Sequence, residues 1–196
     1  MLEFRDDDHS YWFDSERVPS VTTVIEDAAQ AFAGLSDQVL LPAQWRGTAV
    51  HRATELLDME CLDWGSVDDD LHGYLHSWER FKQVSCLEID FIEERIYHPT
   101  YRYAGTLDRT GSLKWDGRRR KAVIDLKTGA AARGTAVQTA AYQEALKKRG
   151  ETYNLRLGVH LKADGSDPDV REYKSKQDMR VFLAMLKVYN WKRNIK

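Results

Sequence analysis

The sequence predicts an α/β domain in which helices flank a central mixed β-sheet. Its patterns run in the order helices, three strands, helix, two strands and helix, which is typical of this fold class. The segment VIDLKTG at 123–129 is apolar up to its aspartate, as expected for a strand in the middle of a sheet. The 196 residues suffice for one core. Because no repeat, linker or boundary interrupts the pattern, we expect residues 1–196 to form a single domain.

Composition excludes several classes of protein. Hydrophobic residues make up 42% of the chain and charged residues 31%, which indicates a globular rather than a disordered protein. The net charge of −2 argues against a protein that coats nucleic acid nonspecifically. No apolar run approaches the roughly 20 residues of a membrane span, and MLEFRDDDHS lacks the apolar segment of a signal peptide. We therefore expect a cytoplasmic protein without a membrane partner.

The N-terminal elements begin with a hairpin over residues 2–14, whose turn lies at 7–10. Ser20 follows a proline and is a good N-cap, so a helix is expected after it. Residues 43–59 show helical periodicity, and a further helix is predicted over 67–84. The apolar stripe of the first of these two helices consists of Ala49, Val50, Ala53, Leu56 and Leu57.

Three strands are predicted next, over residues 87–98, 101–113 and 120–129, because each segment is rich in β-branched and aromatic side chains. The turn between the second and the third strand contains Asp116 and Gly117, and this pair of residues is a strong hairpin signal. The second and third strands therefore form one antiparallel hairpin.

The C-terminal part contains a helix, two strands and a last helix. The first helix begins at residue 134 or 135 and reaches 148. The strands cover 154–163 and 169–175 and are joined by a turn rich in Asp, Gly and Pro. The last helix covers 175–193 and is expected to bury one apolar face.

Two aspartates lie on opposite arms of the predicted hairpin, Asp108 on one strand and Asp125 on the other. Burying a carboxylate in a sheet is costly unless something compensates its charge, and a second carboxylate nearby adds repulsion. Paired strands can bring Cβ atoms to about 5 Å, so the two side chains can converge on one divalent cation. The hairpin is therefore a candidate metal site.

Lys127 follows Asp125 by two residues, so both side chains lie on the same side of the strand. An ammonium group beside a metal ion can orient or activate a water molecule for attack on a phosphodiester. The alternative is a surface strand with an ordinary salt bridge, which is the usual meaning of an isolated Asp-x-Lys triplet. The apolar run before Asp125 favours the buried, functional interpretation.

Two further pairs have the i, i+4 spacing that places side chains on one helix face. His51 and Glu55 lie on the helix at 43–59, and a neutral imidazole is a good metal ligand. Gln138 and Tyr142 lie on the helix that follows the Asp-Leu-Lys strand and can cover the substrate. Each pair also has an ordinary interpretation. His51 can be an exposed or hydrogen-bonded histidine, and Gln138 and Tyr142 can belong to a polar helix surface.

These motifs together resemble the PD-(D/E)XK nuclease superfamily, in its RecB-like and phage-exonuclease branch. The motifs GTAVH, GTLD, VIDLKTG and Gln-x-x-x-Tyr occur in the order of that family. The lead-in YWFDSERVPSVTTVI also looks like the N-terminal hairpin and Ser-x-Thr segment of phage members. The resemblance covers roughly residues 9 to 145 and implies a restriction-endonuclease-like core.

The resemblance implies a catalytic centre that binds Mg²⁺ or Mn²⁺. Asp108 and Asp125 would bind the ion, with the main-chain carbonyl of Leu126 as another ligand. His51 would complete the ligand set, and Lys127 would orient or activate water.

The same resemblance assigns roles around this centre. Gln138 and Tyr142 would position the strand to be cut, and Glu55 matches a helix acid of some members. Ser20 and Thr22 would contact a DNA phosphate, although an N-cap role explains Ser20 equally well.

The resemblance also bears on cofactors and partners. An iron–sulfur cluster of the kind found in related proteins needs four cysteines, and this chain has two. Relatives in phages imply a role in DNA recombination or repair, a single-strand annealing protein as partner, and host cytoplasm as location. The pattern leaves the oligomeric state open.

Two basic clusters are candidates for flanking the DNA path. Ordinary solvated turns and helix ends are the alternative interpretation. The clusters consist of Arg118, Arg119, Arg120 and Lys121, and of Lys147, Lys148 and Arg149.

The sequence thus favours a metal-dependent DNA exonuclease. A structure-selective endonuclease is an alternative. A DNA-binding or scaffolding module of the same fold without catalytic activity is another alternative. Such a module would be expected to lack at least one of Asp108, Asp125 and Lys127.

Overall fold

The computed structural model describes residues 1–30, 37–129 and 134–194. Its N-terminal part is a small antiparallel sheet, in which the expected hairpin is joined by a third strand. The strands are β1 (Leu2–Arg5), β2 (Ser10–Phe13) and β3 (Glu16–Val18). Asp14 and Ser15 have φ angles of 49° and 66°, which closes a tight turn between β2 and β3. The third strand escaped prediction because three residues carry too little periodicity.

The central sheet has five strands in the order β4-β5-β6-β7-β8. These are β4 (Glu88–His98), β5 (Tyr103–Trp115), β6 (Arg118–Lys127), β7 (Leu155–His160) and β8 (Asp169–Glu172). Strands β6 and β7 run parallel, whereas the other neighbours are antiparallel, so the sheet is mixed. The segment predicted to be a central strand is β6, the middle strand of the sheet.

Five α-helices flank the sheet in the part of the chain that the structure describes. They are α1 (Val21–Gln30), α2 (Asp37–Asp58), α3 (Asp69–Ser85), α4 (Gly134–Lys148) and α5 (Gln177–Asn194). One buried cluster joins α1, α4 and α5 to one face of the sheet, and another joins α2 and α3 to the other face. The predicted α/β class with a mixed sheet between helices is confirmed.

Helix α2 differs most from its prediction. It begins at Asp37 rather than near residue 43, so Pro42, which we expected to precede the helix, lies inside it. Pro42 is the sixth residue of α2 and has no main-chain N–H, so the carbonyl of Gln38 lacks its usual partner within the helix. The predicted break at Gly34 lies outside the described residues.

Local signals at element ends fit the structure well. Ser20 Oγ accepts a hydrogen bond from the Thr23 amide at 2.9 Å, as an N-cap does. Asp116 and Gly117 have φ angles of 48° and 75° and form the predicted two-residue turn between β5 and β6. Among the described helices, none combines the length and the apolar character that crossing a membrane requires.

Candidate active site

Strands β5 and β6 separate at one end of the sheet, where the last paired residues are Arg109 and Ile124. Beyond this point, the side chain of Asp108 replaces the main-chain pairing, because its Oδ2 accepts a hydrogen bond from the Leu126 amide at 2.7 Å. The Leu126 carbonyl oxygen lies 3.0 Å from His51 Nε2. Both main-chain groups of Leu126 are thus used in the gap between the strands, while its side chain is buried in the core.

A compact group of possible metal ligands lies at this gap and consists of His51, Glu93 and Asp108. One ligand atom of each lies within 4.8 Å of the others. His51 Nδ1 is 3.6 Å from Asp108 Oδ1 and 4.0 Å from Glu93 Oε1. An imidazole with two carboxylates suits a divalent cation of the first transition series, and the carboxylates also suit Mg²⁺.

Glu93 was absent from the residues proposed on sequence grounds. It lies opposite Asp108 on β4, between the pairs Ile92–Arg109 and Glu94–Leu107, and its φ angle is 47°. Burial raises the pKa of Glu93 to about 7, and the charge of Asp108 adds to this rise. The available sequence signal for Glu93 was the pair of consecutive glutamates in an alternating strand. The positive φ angle that distinguishes Glu93 from its neighbour cannot be read from the sequence.

A buried ionic network is hydrogen-bonded to Glu93 through Arg109. The fully buried Arg109 donates from Nε to Asp58 Oδ2 at 2.7 Å and from Nη1 to Glu93 Oε1 at 3.1 Å. Asp58 also accepts hydrogen bonds from Trp78 Nε1 at 3.0 Å and Lys82 Nζ at 2.6 Å. Because every charge in this network has a partner of opposite sign, the network can hold Glu93 beside Asp108 without leaving a buried charge uncompensated.

Asp125 is 1% exposed, yet within the described chain neither carboxylate oxygen receives a hydrogen bond of good geometry. Its near partner is the Lys127 ammonium, 2.7 Å from Oδ2. Burial raises the pKa of Asp125 to about 6, an effect that Lys127 opposes and Asp108 increases. Asp125 is not a member of the compact group, but a buried carboxylate without hydrogen bonds is a fit position for a cation.

Lys127 is held from two sides. Besides its ion pair with Asp125, its Nζ donates to Gln138 Oε1 at 3.4 Å. Burial alone would lower the pKa of Lys127, but Asp125 and Asp108 raise it above its ordinary value. The side chain is therefore a fixed ammonium group at the edge of the carboxylate cluster.

Gln138 and Tyr142 lie on α4, on the same side of the sheet as Lys127. Gln138 Nε2 donates to the hydroxyl of Tyr142 at 3.2 Å, and Tyr142 is 2% exposed. A Cβ atom on Gly105 would lie 2.8 Å from Tyr142 Cε1, so the tyrosine ring packs directly on that glycine. Tyr142 is thus placed to position Gln138, and Gln138 to position Lys127.

A cleft of about 740 Å³ adjoins the group of ligands. Its walls come from the N-terminal sheet, α1, α2 and the two strands β4 and β5. The residues that line it include Tyr11, Ser20, Thr22, Glu55, Glu93 and Thr106. Glu55 forms an ion pair with Arg52 at 2.6 Å rather than joining the ligand group. Thr22 is exposed in the cleft, whereas the Ser20 hydroxyl is used as the N-cap of α1.

The structure does not bring the two basic clusters to this cleft. Arg118 to Lys121 begin β6, so Arg118 is seven residues, or roughly 23 Å of extended strand, away from Asp125. Arg119 pairs with Glu88, and Arg120 pairs with Glu172 at 3.2 Å. Lys147 and Lys148 are the last two residues of α4, at the end remote from Gln138, and Arg149 follows them and pairs with Glu94 at 2.6 Å. Contact of these residues with DNA stays a prediction.

Comparison with known proteins gives structural likenesses but no family. No protein-family model and no curated protein matches the sequence. The structure of SSO0001 aligns with 89% of this chain and 85% of that protein, at 13% identity and a TM-score of 0.39. LHK-Exo in complex with dAMP aligns with 88% of this chain and 76% of that protein, at 14% identity and a TM-score of 0.42.

Proposed function

We propose that this protein is a divalent-metal-dependent nuclease that hydrolyses phosphodiester bonds in DNA. The observation that carries the proposal is the buried Asp125, which receives no hydrogen bond of good geometry from the described residues and lies beside Lys127 and Asp108. Burial and the charge of Asp108 raise the pKa of Asp125 despite the ion pair with Lys127, so the ionised form of this carboxylate costs stability, which favours a functional role.

Each residue of the site has a distinct task in this proposal. Asp108, Asp125 and Glu93 supply carboxylate oxygens, and His51 supplies an imidazole nitrogen for the cation. When bound, a divalent cation stabilises charge on a phosphate and makes water a better nucleophile. The Leu126 carbonyl, adjacent to His51 Nε2, is a further oxygen within the same gap.

In this proposal, Lys127 orients the water molecule that attacks the phosphodiester. The ion pair with Asp125 and the hydrogen bond to Gln138 hold the ammonium group in place. A fixed ammonium group can orient a water molecule by hydrogen bonding and stabilise negative charge that develops on it. Tyr142 contributes through Gln138, because its own side chain is buried.

The cleft supplies the path for the substrate. The Thr22 hydroxyl is exposed there and is suited to a phosphate oxygen. The Tyr11 hydroxyl, which also lines the cleft, is hydrogen-bonded to Thr106 at 2.7 Å. Exonuclease action is the form favoured by the sequence resemblance. A role in phage recombination or repair, a single-strand annealing partner and a cytoplasmic location are further implications of that resemblance and stay predictions.

The test uses end-labelled linear DNA, single- and double-stranded, beside a closed circle. Each substrate is incubated with Mg²⁺, Mn²⁺ or EDTA and with wild type, Asp125→Asn or Lys127→Met. We expect metal-dependent loss of linear DNA, intact circles, and a decrease of about 10²–10⁴-fold in both variants. Lys114→Met is the control, because Lys114 is an exposed lysine of β5 and lies outside the site.

The other outcomes separate the alternatives. Cut circles would identify an endonuclease. DNA that is bound but not cleaved under every metal condition would reject the enzyme and identify a binding module of the same fold. Equal activity of wild type and both variants would reject this site as the catalytic centre.

A further inference from the structure

The C-terminal helix α5 carries a row of exposed apolar side chains that the fold does not use. The row consists of Val181, Ala184, Val188 and Trp191, at positions i, i+3, i+7 and i+10. This spacing places them on one face of the helix, over a length of about 15 Å. Val181 is 42% exposed, Val188 49% and Trp191 63%, so the residues that the structure describes leave this face open.

The opposite face of α5 already attaches the helix to the core. Phe182, Leu186 and Tyr189 are buried in the cluster that α5 shares with α1 and α4. A surface helix of a globular protein normally has one apolar stripe, directed at the core. Because no described residue covers the second stripe on α5, the stripe is available to a partner.

Three of the four side chains at the positions bordering the second stripe are basic, and the fourth, Met185, packs against the core. In a heptad where Val181 and Val188 occupy position a, Ala184 and Trp191 occupy position d. Arg180 and Lys187 then occupy position g, and Lys192, which is already paired with Asp27 at 2.8 Å, occupies position e. Asp178 is the single acidic residue within α5, and it is already paired with Arg156 at 2.9 Å.

This charge pattern argues against a second copy of the chain as the occupant. In a parallel pair of α5 helices, Lys187 of one copy would meet Lys192 of the other. In an antiparallel pair, the g positions Arg180 and Lys187 would face each other. Both arrangements place like charges at the positions that select coiled-coil partners.

DNA is also a poor occupant of this face. Phosphates would pair with the basic border, but they would leave Val181 and Val188 exposed to water or to charge. A partner helix with apolar residues at a and d and acidic residues at e and g would cover the apolar stripe and pair with the basic side chains beside it.

We propose that the exposed face of α5 docks an acidic amphipathic helix of a partner protein. The apolar stripe accepts the a and d side chains of that helix, and the basic border pairs with its Glu or Asp residues. This proposal does not depend on the proposed nuclease activity. If experiments reject one of the two proposals, the other still stands.

The test uses a fluorescently labelled synthetic helix of three heptads with Leu at a and d and Glu at e and g. A matched peptide carries Lys at e and g. Fluorescence anisotropy with the wild-type protein should show binding of the Glu peptide, weakened by salt, and little binding of the Lys peptide. Val188→Ser should weaken binding of the Glu peptide by about tenfold or more.

A charge reversal makes the test specific. The double variant Arg180→Glu and Lys187→Glu should lose the Glu peptide and gain the Lys peptide. Lys114→Glu, an exposed lysine on β5, should change neither affinity. Because all these positions are exposed, thermal unfolding should show that each variant keeps the wild-type fold.

Several results would overturn the proposal. One is that both peptides bind equally or that neither binds. Another is that the charge reversal leaves the preference unchanged. A third is that wild type sediments as an oligomer that Val188→Ser dissociates, which would assign the face to a second copy of the chain.

Discussion

Asp108 accepts a hydrogen bond from the main-chain amide of Leu126 at 2.7 Å, whereas Asp125, the residue before Leu126, receives none of good geometry from the described residues. The two carboxylates of the hairpin are therefore not equivalent. Asp108 is part of the structure that joins β5 to β6, and its hydrogen bond compensates part of its burial. Asp125 is buried next to it with Lys127 as its compensating charge.

Asp125→Asn should stabilise the metal-free protein, because burial and repulsion by Asp108 outweigh the ion pair with Lys127 and raise the pKa of Asp125 to about 6. We expect a gain of about 2 kcal/mol, or roughly 4–8 °C in Tm. Thermal unfolding in EDTA checks this, and adding Mn²⁺ should raise the Tm of wild type more than that of the variant. Asp169→Asn, at an exposed residue of β8, should have little effect. A variant less stable than wild type in EDTA would contradict the prediction.

Glu93→Gln should weaken metal binding by about 10–100-fold, because it removes one negative charge from the group with His51 and Asp108. The amide oxygen can still accept the hydrogen bond from Arg109, so the fold should persist. Isothermal titration with Mn²⁺ measures the effect. Glu94→Gln is a matched control on the same strand, since Glu94 pairs with Arg149 instead. Equal losses in the two variants would rule out a specific role for Glu93.

Gly105→Ala should destabilise the protein by about 1–3 kcal/mol, since its Cβ would lie 2.8 Å from the Tyr142 ring. The displaced ring should also move Gln138 away from Lys127 and lower the rate of cleavage, with metal affinity unchanged. Urea unfolding and single-turnover kinetics measure the two effects. Gly129→Ala is the control for stability, because a Cβ there would meet no atom of the described residues within 4 Å. Wild-type stability of Gly105→Ala would show that the tyrosine can shift freely.

Asp58→Ala should cost about 3–5 kcal/mol, because it leaves the buried Arg109 with Glu93 as its one carboxylate and leaves Trp78 Nε1 without its acceptor. The urea midpoint should fall accordingly. Asp68→Ala makes a useful comparison, since Asp68 precedes α3 without capping it through its side chain. A loss below about 1 kcal/mol would mean that water replaces Asp58 in the network.

Local patterns predicted much of the fold because each depends on neighbours in the sequence. The turn at Asp116 and Gly117 sets the pairing of β5 with β6, and the Asp125–Lys127 spacing places both side chains on one side of β6. The approach of His51 to Leu126 joins residues 75 positions apart. Helix spacing identified the histidine as a candidate, but its distance to the strand required the structure.

The missed features depend on backbone detail or distant partners. Glu93 differs from Glu94 by a positive φ angle, which nothing in the alternation of β4 reveals. The partners of Asp58 lie on two other elements, so its role cannot be read from α2 alone. Arg119 and Arg120 looked like a free basic cluster because their acidic partners come from β4 and β8.

Leu126 contributes its amide and carbonyl to the gap between the strands, and its side chain only to the core. Mutation at this position can therefore exchange one apolar side chain for another of similar volume while leaving the main-chain groups in place. Evolutionary drift among Leu, Ile, Val and Met would change core packing without altering the chemistry offered to a substrate. A functional group of this kind leaves no side-chain signature, so homologues can share it even where their sequences differ at that residue.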